Sequence, residues 1–450
     1  MSERVELTGW GRAMPTAAEV RTPTDRDELA KGVLDAGPRG VIARGLGRSY
    51  GDAAQNAGGT VIDATGVTPD EQPSVAADGV VTVSAGTSLH ALMQAYVSRG
   101  FFLPVSPGTR FVTVGGAIAA DVHGKNHHAD GSFINHVQSM RLALPSGDVV
   151  DITPSDELFW ATAGGMGLTG VIVEATIVLR SIESSAVLVD TDRLPDLDAT
   201  LAAMSEGDAD YHYSAAWIDL MATGPHMGRC VLYRGDFATR DMLPRRRLAN
   251  PLQLSARVLA SAPPVPSGLL NHVSLRAFNE CYFRSAPRRR RGELQTITRF
   301  FHPLDIVGHW NRLYGPSGFI QWQPVVPFGA ESTLQYIVEA LSSSGTPSFL
   351  SVLKRFGPGN AAPLSFPIAG WTISLDLPVT HGPALGQLLD DLDRRVVDVG
   401  GRIYFAKDSR MRPELVPLMY PRLEEWRAIC AKADPDAVMQ SDLSRRLKLR

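Results

Sequence analysis

The chain of 450 residues is 44% hydrophobic and 20% charged, a globular composition that excludes disordered and fibrous classes and predicts two large folding units. Its formal net charge of −3 argues against a nucleic-acid partner, because binding to phosphate backbones relies on a basic surface. Three widely spaced cysteines, Cys230, Cys281 and Cys430, predict neither a disulfide framework nor a thiolate zinc site.

The N-terminal segment lacks the apolar core of an export signal. No stretch of the chain reaches the roughly 18 consecutive apolar residues that span a bilayer. With its few cysteines, the sequence therefore predicts a protein without an export signal that works in a reducing cytoplasm.

Short strands and glycine-rich loops alternate in the first part of the chain. Strands are predicted over residues 41–43, 60–63, 79–85, 140–144, 149–152 and 171–179, and a helix over 88–99 with Ser88 as its N-cap and Gly100 as its stop. Glycine-rich loops are predicted over residues 44–52, 113–120 and 164–170. This alternation of short strands and glycine-rich loops predicts an α+β cofactor domain over residues 1–182, completed by 402–450.

The glycine loops stop after residue 182, which predicts a second, substrate-binding domain over residues 183–401. Alternating apolar and polar residues predict strands of an antiparallel sheet over 319–327 and 371–378, and a helix is predicted over 382–400. Two basic runs, 245–247 and 288–291, flank a proline-rich stretch. They predict mobile surface loops over about residues 242–292.

The loop over residues 44–52 has the chemistry of a phosphate cradle. Successive backbone N–H groups bind a pyrophosphate when glycine allows close approach, although a plain hairpin loop is the alternative for this loop taken alone. This loop matches neither the lysine-containing loop of ATP-binding proteins nor the three-glycine fingerprint of nicotinamide-binding units. Three glycine loops in one domain therefore favour a larger, two-ended cofactor.

The loop sequences resemble the FAD-binding domain of the vanillyl alcohol oxidase superfamily. The resemblance rests on Arg44-Gly45-Leu46-Gly47-Arg48-Ser49, Pro107-Gly108-Thr109 and Val114-Gly115-Gly116. Many members tether the flavin through a histidine at the position of Arg48, so the resemblance implies non-covalent FAD. The FAD contacts that it implies are Arg44, Gly45, Leu46, Gly47, Arg48, Ser49, Tyr50, Gly108, Thr113, Val114, Gly115, Gly116, Ala120, Asp121, Val122, His123, Val171 and Tyr404.

A closer resemblance, to the decaprenylphosphoryl-β-D-ribose 2′-oxidases, extends over nearly the whole chain. Its most specific pieces are Gly124-Lys125-Asn126-His127-His128, Phe356-Gly357-Pro358, Pro363-Leu364-Ser365-Phe366-Pro367 and Ala406-Lys407-Asp408-Ser409-Arg410. It implies oxidation of a polyprenyl-phosphoribose at C2′ to a keto sugar, which a separate NADH-dependent reductase converts to the arabinose epimer. The lipid-linked substrate implies association with the cell envelope or periplasm and peripheral contact with anionic membrane.

Alcohol oxidation requires a group that takes the hydroxyl proton while hydride leaves for the flavin. Lys407 is the first catalytic candidate, because a desolvated lysine handles the proton and its charge offsets that of the reduced ring. The alternative is an ion pair with Asp408 on a solvated turn. His123 and Lys125 follow the second glycine loop and are also catalytic candidates, and Tyr50 is expected to close over the flavin or the ribose.

Motif carry-over adds a set of substrate contacts in the second domain. These are Trp217, Gln321, Gln323, Lys354, Thr372 and Ser374, with Tyr404 as a further pocket wall. Alternation puts Gln321 and Gln323 on one face of a strand, suited to sugar hydroxyls. Thr372 and Ser374 stand where relatives often carry asparagine and cysteine.

The sequence offers three alternatives for the site and the function. A metal site at His123, His127 and His128 is rejected, because the segment completes no ligand set, and His127 and His128 are expected to lie partly on the surface. An alditol or aldonolactone oxidase that uses oxygen shares the FAD domain, but normally with the tethering histidine. A non-catalytic lipid-phosphate carrier would use the arginine runs at 245–247 and 288–291 to bind head groups.

Overall fold

A computed structural model of the chain describes residues 4–34, 36–67, 75–346, 348, 350–379 and 382–450. Residues 1–3, 35 and 68–74 of the predicted cofactor domain, and 347, 349 and 380–381 of the predicted substrate domain, lie outside the described residues. Among the residues described, no helix is long and apolar enough to cross a membrane.

Small sheets dominate the first part of the fold. Its strands are β1 (Arg4–Leu7), β2 (Thr16–Arg21), β3 (Val41–Arg44), β4 (Thr60–Asp63), β5 (Val80–Ser84), β6 (Phe101–Phe102), β7 (Val137–Ala143), β8 (Val149–Ile152), β9 (Val171–Val178) and β10 (Arg180–Ser181). Its helices are α1 (Arg26–Lys31), α2 (Leu89–Tyr96), α3 (Val114–Ala119), α4 (His127–Asp130) and α5 (Glu157–Thr162). One sheet has the order β1-β2-β4-β3, a second the order β5-β9-β7-β8, and β6 pairs with β10.

Local sequence explains helix α2. The Ser88 side chain accepts a hydrogen bond from the Ala91 N–H at 3.0 Å, which caps the first turn. Leu89 and Leu92 lie on the buried face. Gly100 takes the left-handed conformation, with φ of 86°, after the turn that follows the helix. The predicted helix is confirmed, as are the predicted strands of this part of the chain.

A large antiparallel sheet dominates the second part. The remaining strands are β11 (Ala186–Leu194), β12 (Tyr213–Ile218), β13 (Cys230–Phe237), β14 (Ala260–Ser261), β15 (Arg289–Thr296), β16 (Val307–Gly308), β17 (Phe319–Trp322), β18 (Pro324–Pro327), β19 (Ser351–Phe356), β20 (Gly370–Pro378) and β21 (Arg402–Ile403). The remaining helices are α6 (Leu197–Gly207), α7 (Arg245–Leu248), α8 (His272–Ser285), α9 (Ile297–Phe301), α10 (Glu331–Ser344), α11 (Gly382–Asp398), α12 (Val416–Met419), α13 (Leu423–Ala433) and α14 (Asp442–Arg446). Nine described strands form one sheet in the order β15-β11-β13-β12-β19-β20-β18-β21, with β17 also on β20.

The strand predicted over residues 319–327 is observed as two, β17 and β18, which pair with successive parts of β20. The break falls at Gln323, whose backbone carbonyl accepts the Tyr404 N–H at 3.0 Å. The next residue, Pro324, has no N–H to donate to the ladder, which explains the interruption. This turns the Gln323 backbone toward the segment that carries Tyr404.

The two faces of β20 have different functions. Ile373 and Leu375 belong to the same hydrophobic core as buried side chains of α10 and α11. Thr372, Ser374 and Asp376 alternate with them and therefore lie on the opposite face. Polar side chains of the sheet thus face the N-terminal loops.

The predicted mobile loop is wrong for the second basic run, because residues 289–291 lie in β15, an edge strand paired with β11. Acidic side chains of β11 hold the arginines there. Arg291 pairs with Asp192 at 2.7 Å and with Asp190 at 3.3 Å. The first run, 245–247, forms most of the short helix α7.

The C-terminal segment returns to the first part of the fold. The Trp426 indole donates to the Ala161 carbonyl at 2.9 Å, and the Ala57 N–H donates to the Asp442 carboxylate at 3.0 Å. These contacts agree with a cofactor domain completed by residues 402–450. That assignment, like the boundary at 182, stays a prediction.

Candidate active site

A cavity of about 600 Å³ lies between the N-terminal glycine loops and the polar face of the large sheet. Loops of the first part and strands β12, β17, β19 and β20 contribute to its walls. The predicted residues that line it are Arg44, Gly45, Leu46, Gly47, Arg48, Ser49, Tyr50, Gly108, Thr113, Gly115, Gly116, Ala120, Val122, His123, Lys125, Trp217, Gln321, Gln323, Lys354, Ser374, Tyr404 and Lys407. One cavity thus brings together residues from both parts of the chain.

Four predicted site residues, Val114, Asp121, Val171 and Thr372, are not part of the cavity wall, and their assignment as ligand contacts stays a prediction. Val114 and Val171 are buried in hydrophobic cores. The Asp121 carboxylate is buried and accepts hydrogen bonds from three neighbouring side chains. Thr372 lies behind Gln323, whose amide donates to its hydroxyl at 3.1 Å. All four therefore support the wall from behind.

The loop that follows β3 packs tightly on the start of α3. A Cβ at Gly45 would lie 2.2 Å from the Thr113 hydroxyl, and Gly47 has φ of +63°, so both positions favour glycine. Thr113 also caps α3 by accepting the Gly116 N–H at 3.2 Å. The Arg44 guanidinium holds the loop by donating to two backbone carbonyls.

The backbone N–H groups of this loop are available to a ligand. In the part of the chain that the structure describes, none of the N–H groups of residues 45–49 donates to a protein acceptor. Buried N–H groups need a partner, and successive free N–H groups in a loop bind anions. Gly108 also lines the cavity, and nothing lies within 4 Å of its Cβ position. The cradle therefore fits the pyrophosphate of a dinucleotide.

Lys407 lies in the cavity wall, at the end of a short turn. Its ammonium is 3.9 Å from the centroid of the Tyr50 ring. Asp408 does not pair with it, because Arg446 binds Asp408 at 2.8 Å and Asp52 at 2.7 Å. The surface ion pair considered for Lys407 is therefore wrong. Burial lowers the pKa of Lys407, and the charge of Asp376 opposes this shift.

Asp376 is a buried carboxylate that the sequence analysis missed. The Gln321 amide donates to it, and the Tyr314 hydroxyl donates to it at 3.4 Å. Burial raises its pKa, and these hydrogen bonds and the charge of Lys407 oppose the rise. Alternation along β20 was the available signal, since Asp376 lies two residues from Ser374 on the same face.

His123 lies between Lys354 and Gln323. Its Nδ1 is 3.1 Å from the Lys354 ammonium, and its Nε2 is 2.9 Å from the Gln323 amide nitrogen. Burial, followed by the charge of Lys354, holds its pKa well below the usual value. The imidazole is therefore neutral at pH 7. Lys125 lies two residues further on and donates to the Phe300 carbonyl.

Comparison with known proteins adds to this geometry. A model of the FAD binding domain matches residues 17–153. The chain is 46% identical to decaprenylphosphoryl-β-D-ribose oxidase of Mycolicibacterium smegmatis, over 98% of this chain and 97% of that protein. The chain belongs to the decaprenylphosphoryl-β-D-ribose oxidase family.

Two further relatives are similar over less of the chain. Identity is 39% to a protein from the mprA 5′ region of Streptomyces coelicolor, over 80% of this chain and all of that protein. It is 30% to L-gulono-1,4-lactone dehydrogenase of Mycobacterium tuberculosis, over 37% of this chain and 39% of that protein.

As a member of the decaprenylphosphoryl-β-D-ribose oxidase family, the protein is an FAD-dependent oxidoreductase. The predicted cofactor is confirmed, and so is the predicted two-domain α+β fold of the vanillyl alcohol oxidase type. The cradle of free N–H groups and the open space at Gly108 fit FAD, and residues 45–49 would hold its pyrophosphate.

Arg48 lies where many relatives carry the histidine that tethers the flavin. In this structure its side chain packs on Trp10. Its guanidinium lies 4.1 Å from the centroid of the Trp10 ring and donates to the Leu46 carbonyl at 2.5 Å. A guanidinium stays protonated and is not a nucleophile, so this residue offers no covalent link to a flavin.

An aromatic wall closes the part of the cavity formed by β12 and α8. The rings of Trp217 and Tyr282 have centroids 4.6 Å apart, and the Tyr282 and Tyr233 hydroxyls are 2.9 Å apart. Sequence reasoning missed both tyrosines, because only the folded chain brings α8 against β12. The Tyr404 hydroxyl donates to the Ala120 carbonyl at 2.7 Å, which leaves its ring as the wall surface.

The histidines after His123 serve packing in this family member. His127 is buried against Phe356, with ring centroids 4.5 Å apart, and its Nδ1 accepts the Gly357 N–H at 3.1 Å. The expected surface position is therefore wrong for His127. His128 contacts the Tyr211 carbonyl. Among the described residues, no group of three or more His, Cys, Asp or Glu side chains is arranged to hold a metal.

Proposed function

We propose that the protein oxidises the 2′-hydroxyl of decaprenylphosphoryl-β-D-ribose to the 2′-keto sugar. This is the first half of an epimerisation that yields the arabinose donor for cell-wall arabinan, and a separate NADH-dependent reductase performs the second half. The observation that carries the proposal is the position of Lys407 and Tyr50 in the same cavity as the free N–H groups of residues 45–49. Full-length similarity to the mycobacterial oxidase supports the choice of sugar.

Two events are needed at C2′: hydride leaves the carbon, and the hydroxyl loses its proton. FAD, when bound, supplies the hydride acceptor. Neutral Lys407 accepts the hydroxyl proton, which its lowered pKa allows near neutral pH. The Asp376 carboxylate then stabilises the ammonium that forms, and Gln321 holds Asp376 in place. The positive charge gained by Lys407 would offset negative charge that develops at the hydride acceptor.

A membrane position suits a lipid-linked substrate. Val258, Leu259 and Val307, here named the apolar rim, are exposed, and Leu259 is 76% exposed. Val258 and Val307 also line the cavity, so the rim marks its mouth. Arg257 is exposed beside the rim. We propose that the rim contacts anionic membrane, from which the polyprenyl chain enters the cavity.

Anaerobic flavin bleaching tests the proposed reaction. Polyprenyl-phosphoribose is expected to reduce the bound flavin, with the 2′-keto sugar as product by mass spectrometry. Reduction by alditols or aldonolactones instead, with release of peroxide in air, would support the oxygen-using sugar oxidase. Protein isolated without flavin, which binds lipid phosphate but takes up no FAD, would support the carrier.

Acid precipitation tests whether the FAD is tethered. Because Arg48 replaces the tethering histidine, the yellow colour is expected to stay in the supernatant. A yellow pellet would contradict non-covalent binding.

A further inference from the structure

Three lysines, Lys125, Lys354 and Lys407, line the same cavity as His123. Lys407 has the buried carboxylate Asp376 nearby. Among the described residues, neither Lys125 nor Lys354 forms an ion pair with a carboxylate, in contrast to Lys432, which pairs with Glu157 at 3.4 Å on the surface. Burial lowers the pKa of Lys354 to about 7 and that of Lys125 to about 8. Buried cations without a counter-charge are costly, so this part of the cavity is built for an anion.

Two of these ammonium groups have N–H donors left over. Lys125 donates to the Phe300 carbonyl, and the Lys354 Nζ lies 3.1 Å from His123 Nδ1. Because an ammonium carries three N–H groups, each has two more for a ligand. The carboxylate in the cavity wall, Asp305, interacts with Arg110 and Arg48 instead.

We infer that Lys354 and Lys125 form a phosphate subsite that binds the phosphodiester of the lipid-linked sugar beside the reacting carbon. This inference rests on the proposed function. In a 1-phosphoribose the phosphate oxygen is bonded to C1′, the neighbour of C2′. A hydroxyl at C2′ that reaches Lys407 therefore brings the phosphate within a few bonds of it.

Lys354 lines the same cavity as the other two lysines. When Lys407 and Lys125 are charged, both lower the pKa of Lys354. A phosphodiester bound by Lys354 and Lys125 therefore leaves Lys407 free to accept the proton of the 2′-hydroxyl. His123, neutral and held by Lys354, adds no further charge.

The pyrophosphate of FAD has the same chemistry, so the two sources must be separated. Residues 45–49 already offer the cofactor a row of free N–H groups. Loss of FAD on removal of Lys354 or Lys125 would assign these lysines to the cofactor. Loss of phosphodiester binding with full FAD content would assign them to the substrate.

Calorimetry on the oxidised holoenzyme tests the subsite without turnover. The probes are farnesyl methyl phosphate, a phosphodiester, and farnesyl methyl ether, its uncharged counterpart. We expect the phosphodiester to bind native protein about 10- to 100-fold more tightly than the ether, the range for hydrogen bonds to charged groups. Lys354→Met and Lys125→Met should lose most of this preference while keeping FAD and ether affinity. Lys354→Arg should retain part of it.

Lys432→Met is the matched control, since it removes a surface lysine, and it should leave the preference unchanged. An unchanged preference in both cavity variants, an equal loss in Lys432→Met, or loss of FAD from the cavity variants would overturn the subsite. Lysine acylation of native protein adds a test that needs no variant. The phosphodiester should protect Lys354 and Lys125 but not Lys432, and absence of protection would also overturn it.

The proposed reaction can be refuted without refuting the phosphate subsite. Native protein that prefers the phosphodiester through these lysines, yet does not oxidise farnesylphosphoryl-β-D-ribose, would refute the reaction and support the subsite.

Discussion

Lys407 and Asp376 influence each other because both are buried. Burial alone favours the neutral form of each side chain, whereas the charge of each favours the charged form of the other. The proposed reaction uses this balance, since Lys407 begins neutral and ends charged. Substitution of Asp376 therefore changes the proton acceptor without removing it.

We expect Asp376→Asn to shift the pH dependence of flavin reduction. Asp376 raises the pKa of Lys407, so its removal lowers that pKa. Neutral lysine then persists to lower pH, and the acidic limb moves to lower pH, while the maximal rate falls. Lys407→Met should lose about 100-fold or more of the rate at all pH values. Stopped-flow reduction under anaerobic conditions measures both effects.

Asp391→Asn is the control for the pH profile, because Asp391 is an exposed helical carboxylate paired with Arg394. It should leave the profile unchanged. An unmoved limb in Asp376→Asn, or a near-native rate in flavin-loaded Lys407→Met, would contradict the assigned roles.

Ser374 gives a test of cavity access. Cys281 is exposed, whereas burial raises the pKa of the Cys230 and Cys430 thiols to about 12, which makes them inert. In a Cys281→Ser background, Ser374→Cys should gain one adduct with a small thiol reagent by intact mass. The background alone should gain none, because a serine hydroxyl is a poor nucleophile.

Sugar oxidation should survive Ser374→Cys, because neither hydride transfer nor proton removal needs this side chain. A cysteine variant without an adduct would show that position 374 is not open to the cavity.

At the scale of elements, the cofactor cradle depends on close contact between the loop after β3 and helix α3. We expect Gly45→Ala to lower FAD content and melting temperature. The added Cβ would meet the Thr113 hydroxyl at 2.2 Å and displace the α3 cap, which is worth on the order of 1 kcal/mol. Flavin-to-protein ratio and thermal unfolding measure the effect.

Gly386→Ala is the matched control, since Gly386 lies within α11 and nothing lies within 4 Å of its Cβ position. It should keep FAD and stabilise the helix by up to about 1 kcal/mol. Full FAD content in Gly45→Ala would contradict the close approach.

Local patterns predicted α2, α11 and the strands β3–β5, β7–β9 and β20, because caps and apolar periodicity are properties of neighbouring residues. Contacts between distant segments were harder to predict. The arginines at 289–291 were expected in a loop. They lie in a strand because acidic side chains of the neighbouring β11 pair with them. Asp376 raises the pKa of Lys407, and the two residues lie in different elements of the fold, so local sequence does not reveal this interaction. The family resemblance supplied Lys407, His123 and Lys354 of the cavity wall, but not Asp376.

At the scale of the whole molecule, the apolar rim predicts salt-sensitive binding to anionic vesicles. Leu259→Asp should weaken this binding, because it puts a negative charge where apolar surface and anionic lipid meet. Each nearby arginine contributes about 1 kcal/mol, which added salt screens. Vesicle flotation at two salt concentrations measures it.

Leu418→Asp is the control, because Leu418 is 60% exposed in α12 and does not line the cavity. Vesicle binding that is absent, insensitive to salt, or weakened equally by both substitutions would contradict a membrane-facing rim.

The ion pairs of Arg446 have a consequence for the order of events during synthesis. Asp52, beside the cofactor loop, meets Arg446 only after the ribosome has added 394 more residues. Arg446 also binds Asp408, next to Lys407. Asp52 therefore lacks this ion-pair partner until residue 446 has been synthesised. We expect flavin capture to follow that step, so that nascent chains ending before Arg446 bind no flavin.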